Sequence, residues 1–165
     1  MNPEHAVAIR DFLAANLEME TKATKKVIAA VPDGHGDYTP DLKSMKALDL
    51  AWHIAASEVM ILDMASSAGD APMPERAAGT ETAAGIVAWY ETNQAAALAR
   101  VRTLSGEKLA TVISVWGGAM TAPVVNFINI ALVHGVHHRG QLSAYLRPMG
   151  AKVPSIYGPS GDEGM

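Results

Sequence analysis

Apolar side chains recur every third or fourth residue along four stretches of this chain, the period of helices that each bury one face. In the first stretch, Pro3 to about Ala30, residues Ile9, Phe12, Leu13, Leu17, Thr24, Val27 and Ile28 gather near one side. The second, Met45 to about Ala65, carries Leu48, Trp52, Ala55, Val59 and Leu62 on its stripe. The third begins at Thr80 and runs to about Leu104 through Ile86, Val87, Trp89, Tyr90 and Leu98. The fourth starts at Thr121 with Pro123, a residue suited to a first helical turn, and ends at Leu146. Turn formers separate the stretches: Val31-Pro-Asp-Gly-His-Gly36, the run from Ser66 to Gly79, Ser105-Gly106 and Arg147-Pro-Met-Gly150. Ser44 is placed to cap the second helix. Leu109–Trp116 is rich in β-branched residues and is followed by Gly117-Gly118, which predicts a short extended segment near 109–116.

Four such helices around one core predict an all-α protein, a four-helix bundle. Connections of roughly 13 residues are long enough for a crossover in place of a plain up-and-down order. Residues 1–150 are expected to form this single domain. The stretch 151–165, rich in Gly, Pro, Ser and acid, is expected to be a surface or mobile tail.

Composition narrows the function. The 165 residues are 49% hydrophobic, enough for a compact core of roughly 70% of the extended chain's surface. A formal net charge of −4 and the lack of any Lys/Arg block argue against nucleic acid or an anionic membrane as partner. No apolar run reaches the length of a membrane span, and the polar start Met1-Asn-Pro-Glu-His-Ala6 has no signal-like apolar core, so a cytoplasmic location is expected. There is no cysteine, which leaves any metal to His, Asp, Glu and water.

The chemistry concentrates in the fourth helix, in Ala131-Leu-Val-His-Gly-Val-His-His-Arg-Gly-Gln-Leu142. His134 and His138 lie four residues apart, about one turn, and leave the helix on the same side as Phe127, Ile130, Ala131, Leu142 and Tyr145. Two imidazoles on a largely apolar stripe need partners, and one metal ion satisfies both. Two ligands are too few for zinc or nickel. Of the six histidines, His5 sits in a terminus, His35 in a Gly-rich loop, and His137 points about 100° away from His138. His53, early in the second helix beside Trp52 and Ala56, is the candidate for a third ligand. Asp49, one turn earlier, is placed either to fix the His53 tautomer or simply to favour a helix N-terminus. The methionines, Met60 and Met64 among them, read as flexible core filler.

One His early in the second helix, then His134-x-x-x-His138-Arg-Gly-Gln-Leu142 followed by Tyr145-Leu-Arg147 and Gly150, resembles the DinB-like metalloproteins over about residues 3 to 150. The resemblance implies a bundle with a crossover connection, a three-His site for a divalent metal, and often a homodimer. Carried over, His53, His134 and His138 would be the ligands, with zinc or nickel the expected ion. Arg139 and Gln141 belong to the motif and take either supporting or structural roles. Relatives of this kind include transferases that use a small thiol and a thiol-dependent isomerase. The resemblance therefore implies, as the expectation to be tested, a metal-dependent transferase using a low-molecular-weight thiol. A non-catalytic metal- or ligand-binding dimeric bundle and a metal-dependent hydrolase are the alternatives. No Glu stands beside the His pair as in His-Glu-x-x-His proteases, so no general base for hydrolysis is identified.

Overall fold

A computed structural model describes residues 1–163. Four long helices form the body: α1 (Pro3–Ala29), α2 (Ala47–Ser67), α3 (Ala83–Arg102) and, after a short α4 (Gly106–Ala110), α5 (Val124–Leu146). Strands β1 (Val112–Val115) and β2 (Met120–Pro123) make an antiparallel hairpin in register Val112 to Pro123 and Val115 to Met120.

The helix starts differ from the sequence reading for local reasons. Ser44 does not cap α2: its hydroxyl donates to Asp41 within the preceding loop, and α2 opens two residues later with no side-chain cap. Thr80 is spent in a turn, donating to the Ala77 carbonyl, and Thr82 accepts from Gly85 N–H as the cap of α3. The extended segment is shorter than 109–116. Leu109 and Ala110 complete α4, capped by Ser105, and Trp116 turns the chain with a positive φ of 53°. Thr121 belongs to β2, so α5 begins only after Pro123.

Cross-helix contacts fix the order of the bundle. Glu18–Arg102 and Lys25–Glu91 make α1 antiparallel to α3, while the Trp52–Trp89 and Asp63–Arg100 pairs make α2 parallel to α3. Contacts of His53 with His138 and of Ser57 with His134 make α5 antiparallel to α2. The order is up-down-down-up, with α1 and α2 on one diagonal. Residues 68–82 must therefore run back along the bundle, and this is the crossover. Arg76 pins it by bonding both Asp49 (2.8 Å) and the Thr80 carbonyl.

The interior divides into two apolar clusters. One, around Leu17, Leu62, Leu98 and Phe127, packs the end that carries the hairpin. The other, around Ile28, Leu50, Ile54, Ile86 and Leu142, packs the end near the start of α2. Polar groups sit between helices rather than at random. Arg139 of α5, 2% exposed, pairs with Glu20 of α1 at 2.6 Å and also bonds Tyr157. Tyr157 donates in turn to Glu20, so the segment after α5 is tied down onto α1 and α5. Arg147 holds Asp162 of the same segment. Positions 164 and 165 of the expected tail lie outside the described residues.

Candidate metal centre

Because α2 and α5 run antiparallel in contact, residues on their facing sides meet at matching heights. His53, on the second turn of α2, meets His138 with Nε2 atoms 3.3 Å apart. One turn further along α2, the Ser57 hydroxyl stands 3.2 Å from Nδ1 of His134. The three imidazoles converge, with ring centroids 4.3 to 5.1 Å apart and one ligand nitrogen from each within 4.8 Å of the others. Two nitrogens bound at 2.0–2.1 Å to one tetrahedral ion stand about 3.3–3.4 Å apart. The His53–His138 separation has that value, and three neutral nitrogen donors suit zinc or nickel.

Neighbouring side chains set which ring nitrogen is bare. The Ser57 hydroxyl has one proton and donates it to the His53 carbonyl at 2.5 Å. Towards His134 the oxygen can only accept, so His134 Nδ1 carries the proton and Nε2 keeps its lone pair. In the same way His138 Nδ1 donates to Gln141 Oε1 at 2.7 Å, and the Gln141 amide donates to His137 Nε2 at 3.2 Å. Hydrogen bonds of this kind hold the tautomer and orientation of metal-binding histidines. Burial, together with the nearby His138, His53 and His137 rings, holds His134 down to about 4. Burial and then His138 lower His53 as well. Both are neutral near pH 7, the state in which an imidazole binds metal.

The three histidines are half-buried, so the cluster is open to small molecules. Beside it lies a cleft of about 460 Å³ whose walls include His138, Gln141, Leu50, Met45, Tyr145 and Lys43. A second cleft, about 560 Å³ between α1 and α3, contains none of the histidines and is bridged by the Glu18–Arg102 and Lys25–Glu91 pairs.

The remaining motif residues separate clearly. His137 is exposed and stands outside the triad, although its ring adjoins that of His138. Asp49 does not orient His53, because its carboxylate is taken by Arg76. Arg139 turns inward to Glu20 and Thr24 and holds helices together, while Gln141 alone of the two acts on the cluster. Sequence reasoning passed over Ser57, although its place one turn after His53 was a usable signal. It also passed over Glu58, the one acid in the apolar run from Ile54 to Leu62. Glu58 is 3% exposed, accepts from the Tyr90 hydroxyl at 2.8 Å, and lies against Gly135, where a Cβ would come within 3.1 Å of its Oε2. It faces the core and is no member of the triad.

An up-down-down-up helical bundle with a three-histidine cluster at the seam of its second and last long helices defines the class. The DinB family profile matches residues 8–164, and the chain belongs to that family. Among relatives, the Bacillus subtilis protein YjoA is 27% identical over 130 residues, spanning 77% of this chain and 82% of its own. YrdA of the same organism is 26% identical over 160 residues, 93% of this chain and 90% of its own. The crystal structure of YjoA, a DinB-like protein, superposes with a TM-score of 0.73 at 19% identity over 90% of this chain and 99% of that one. A DinB-like protein from Bacillus cereus gives 0.73 at 22% identity over 88% and 95%. At these identities the two structures establish the shared fold. No described helix is long and apolar enough to cross a membrane.

Proposed function

We propose that the protein is a metal-dependent transferase that joins a low-molecular-weight thiol to an electrophilic small molecule, with His53, His134 and His138 holding one divalent ion, zinc or nickel. The observation that carries this reading is the convergence of three imidazoles, two of them with Nδ1 tied outward so that Nε2 is bare. An ion held by only three protein donors supplies an open position and the charge that acidifies a thiol there. Ser57 and Gln141 keep His134 and His138 in register, and the adjoining cleft has room for one small molecule. The thiol proton passes to solvent, a sulfur–carbon bond forms, and the electrophile's leaving group departs with its bonding electrons. Since the chain has no cysteine, the thiol arrives as a cosubstrate, which suits a reducing, cytoplasmic setting.

Thiol transfer is favoured over hydrolysis by the donor set. Among the described residues no carboxylate joins the three histidines. A thiol is already far more acidic than water and needs less help from a base. Metal-loaded protein incubated with a panel of thiols and a chromogenic electrophile is expected to turn over well above the His134→Ala variant. Rates equal to that variant for every thiol would leave a non-catalytic metal-binding bundle as the reading.

The outer hydrogen bonds give a milder test. Gln141→Ala is expected to weaken metal affinity about 10–100-fold, read by competition with a colorimetric chelator, with the melting temperature of the metal-free protein little changed. Gln141→Glu, which keeps the acceptor for His138 Nδ1–H, should recover most of the loss. Unaltered affinity in Gln141→Ala would show that His138 needs no such support.

A further inference from the structure

The cleft beside the histidine cluster differs in charge from the chain as a whole. The sequence holds 17 acidic and 13 basic side chains, yet no Asp or Glu lines this cleft. Its one formally charged wall residue is Lys43, and His138 of the triad is on the same walls. Apolar surface makes up much of the rest: Met45, 46% exposed, with Leu50, Ala144 and Tyr145. A positive, acid-free cleft with greasy walls at a metal-binding cluster has the composition of a site for an amphiphilic anion.

The loop that carries Lys43 leaves its ammonium free. The Asp41 carboxylate is taken up locally, accepting from Lys43 N–H at 2.8 Å, Ser44 N–H at 3.1 Å and the Ser44 hydroxyl at 2.7 Å. Asp37, the loop's other nearby acid, pairs with Lys46 at 2.7 Å. Among the described residues Lys43 therefore forms no ion pair. The same bonds, with the Thr39 hydroxyl donating to the Asp41 carbonyl at 2.6 Å, hold the backbone from which Lys43 projects. The charge is thus carried on a fixed turn at the rim of the cleft, unspent within the fold.

We propose that the electrophile of the transfer carries a carboxylate, bound by the Lys43 ammonium, on an apolar body that lies against Met45, Leu50 and Tyr145. This rests on the transferase reading above and names the class of molecule that site accepts. A divalent ion at the histidines adds positive charge to a cleft that has no acid to offset it, so an anion is drawn in and a cation repelled. A wholly polar molecule would gain nothing from the apolar walls, whereas an apolar body buries surface there. The carboxylate belongs to the electrophile because the thiol sulfur occupies the open position on the ion. The second reactant must then lie alongside it, in the cleft that His138 shares with Lys43.

Matched probes that differ only in charge test this. Equilibrium dialysis of the metal-loaded full chain against 3-nitrobenzoate and 3-nitrobenzamide is expected to show tighter binding of the benzoate. Lys43→Gln should weaken benzoate binding about 5-fold, the worth of a solvent-accessible ion pair, and so level the two probes. Lys43→Glu should weaken it further, while Lys46→Gln, whose charge is outside the cleft and spent on Asp37, should keep the wild-type preference. A preference for benzoate that is absent in the wild type, or undiminished in Lys43→Gln because the ion alone holds the carboxylate, overturns the proposal. Turnover with a thiol and 4-chloro-3-nitrobenzoate gives the second arm. There the sulfur–carbon bond forms at the ring, chloride leaves with its bonding electrons, and the thiol proton passes to solvent. The Lys43→Gln loss should fall on KM for the benzoate and not on kcat. A rise in KM for the thiol instead would place the anion on the cosubstrate and overturn the proposal. Lys43-dependent benzoate binding with no turnover for any thiol would uphold the carboxylate site and overturn only the transferase reading. Turnover of the benzoate at the same KM in wild type and Lys43→Gln would do the reverse.

Discussion

His138→Ala is expected to abolish stoichiometric metal binding, while His137→Ala leaves about one ion per chain. The two residues are neighbours in sequence, yet about 100° of helical turn separates their side chains. His138 turns its Nε2 to within 3.3 Å of His53 Nε2, and His137 stands exposed with its Nε2 accepting from Gln141. Removing His138 leaves His53 and His134, too few donors for a tetrahedral ion with one open position. Removing His137 takes away one acceptor of the Gln141 amide but leaves the Gln141 oxygen on His138. The loss in His138→Ala should thus exceed the 10–100-fold of an outer partner. Metal content measured after purification without an immobilised-metal column, followed by reloading and dialysis, decides it. Equal content in wild type and His138→Ala would mean that the histidine cluster is structural.

The neighbouring pair also shows what the sequence made legible. Helical period alone separates His137 from His138, and the same period outlines the four long helices. Those signals are local, carried by side chains three or four residues apart. The hairpin of β1 and β2 was half visible, because β-branched residues marked Val112–Val115 but its partner Met120–Pro123 has no such pattern. The starts of α2 and α3 were misplaced where a capping residue had a competing bond, Ser44 to Asp41 and Thr80 to Ala77.

Tertiary partners were the least legible. Asp49 looked placed for His53, but Arg76, 27 residues away on the crossover, takes its carboxylate. Ser57 gains its role only when α5 brings His134 to it, across 77 residues of chain. Arg139 and Gln141 sit two residues apart in one motif and face opposite duties, one on α1 and one on His138, and only the packed bundle separates them.

Glu58→Gln is expected to make the folded protein more stable above pH 7 and to change little below pH 5. Burial raises the Glu58 carboxyl from its ordinary 4.5 to about 7, against the opposing pull of Tyr90, Gln94 and the Arg139 charge. The help from Gln94 is incomplete, since Glu58 Oε1 and Gln94 Nε2 each lack a hydrogen bond of ordinary geometry. The sign follows from linkage. Below about pH 4.5 the group is protonated folded or unfolded, and its burial carries no ionic penalty. Between 4.5 and 7 only the unfolded chain releases the proton, so stability falls as pH rises. Above pH 7 the whole difference, about 3 kcal/mol, is lost. For a domain of this size that is a drop of about 10 °C in melting temperature between pH 5 and pH 8. Glutamine keeps an acceptor for the Tyr90 hydroxyl, fits the space left by Gly135, and carries no charge to desolvate. The Glu58→Gln melting temperature should therefore stay nearly level over the same range and exceed wild type at pH 8. Parallel pH slopes for the two proteins would show that Glu58 is not the group that titrates.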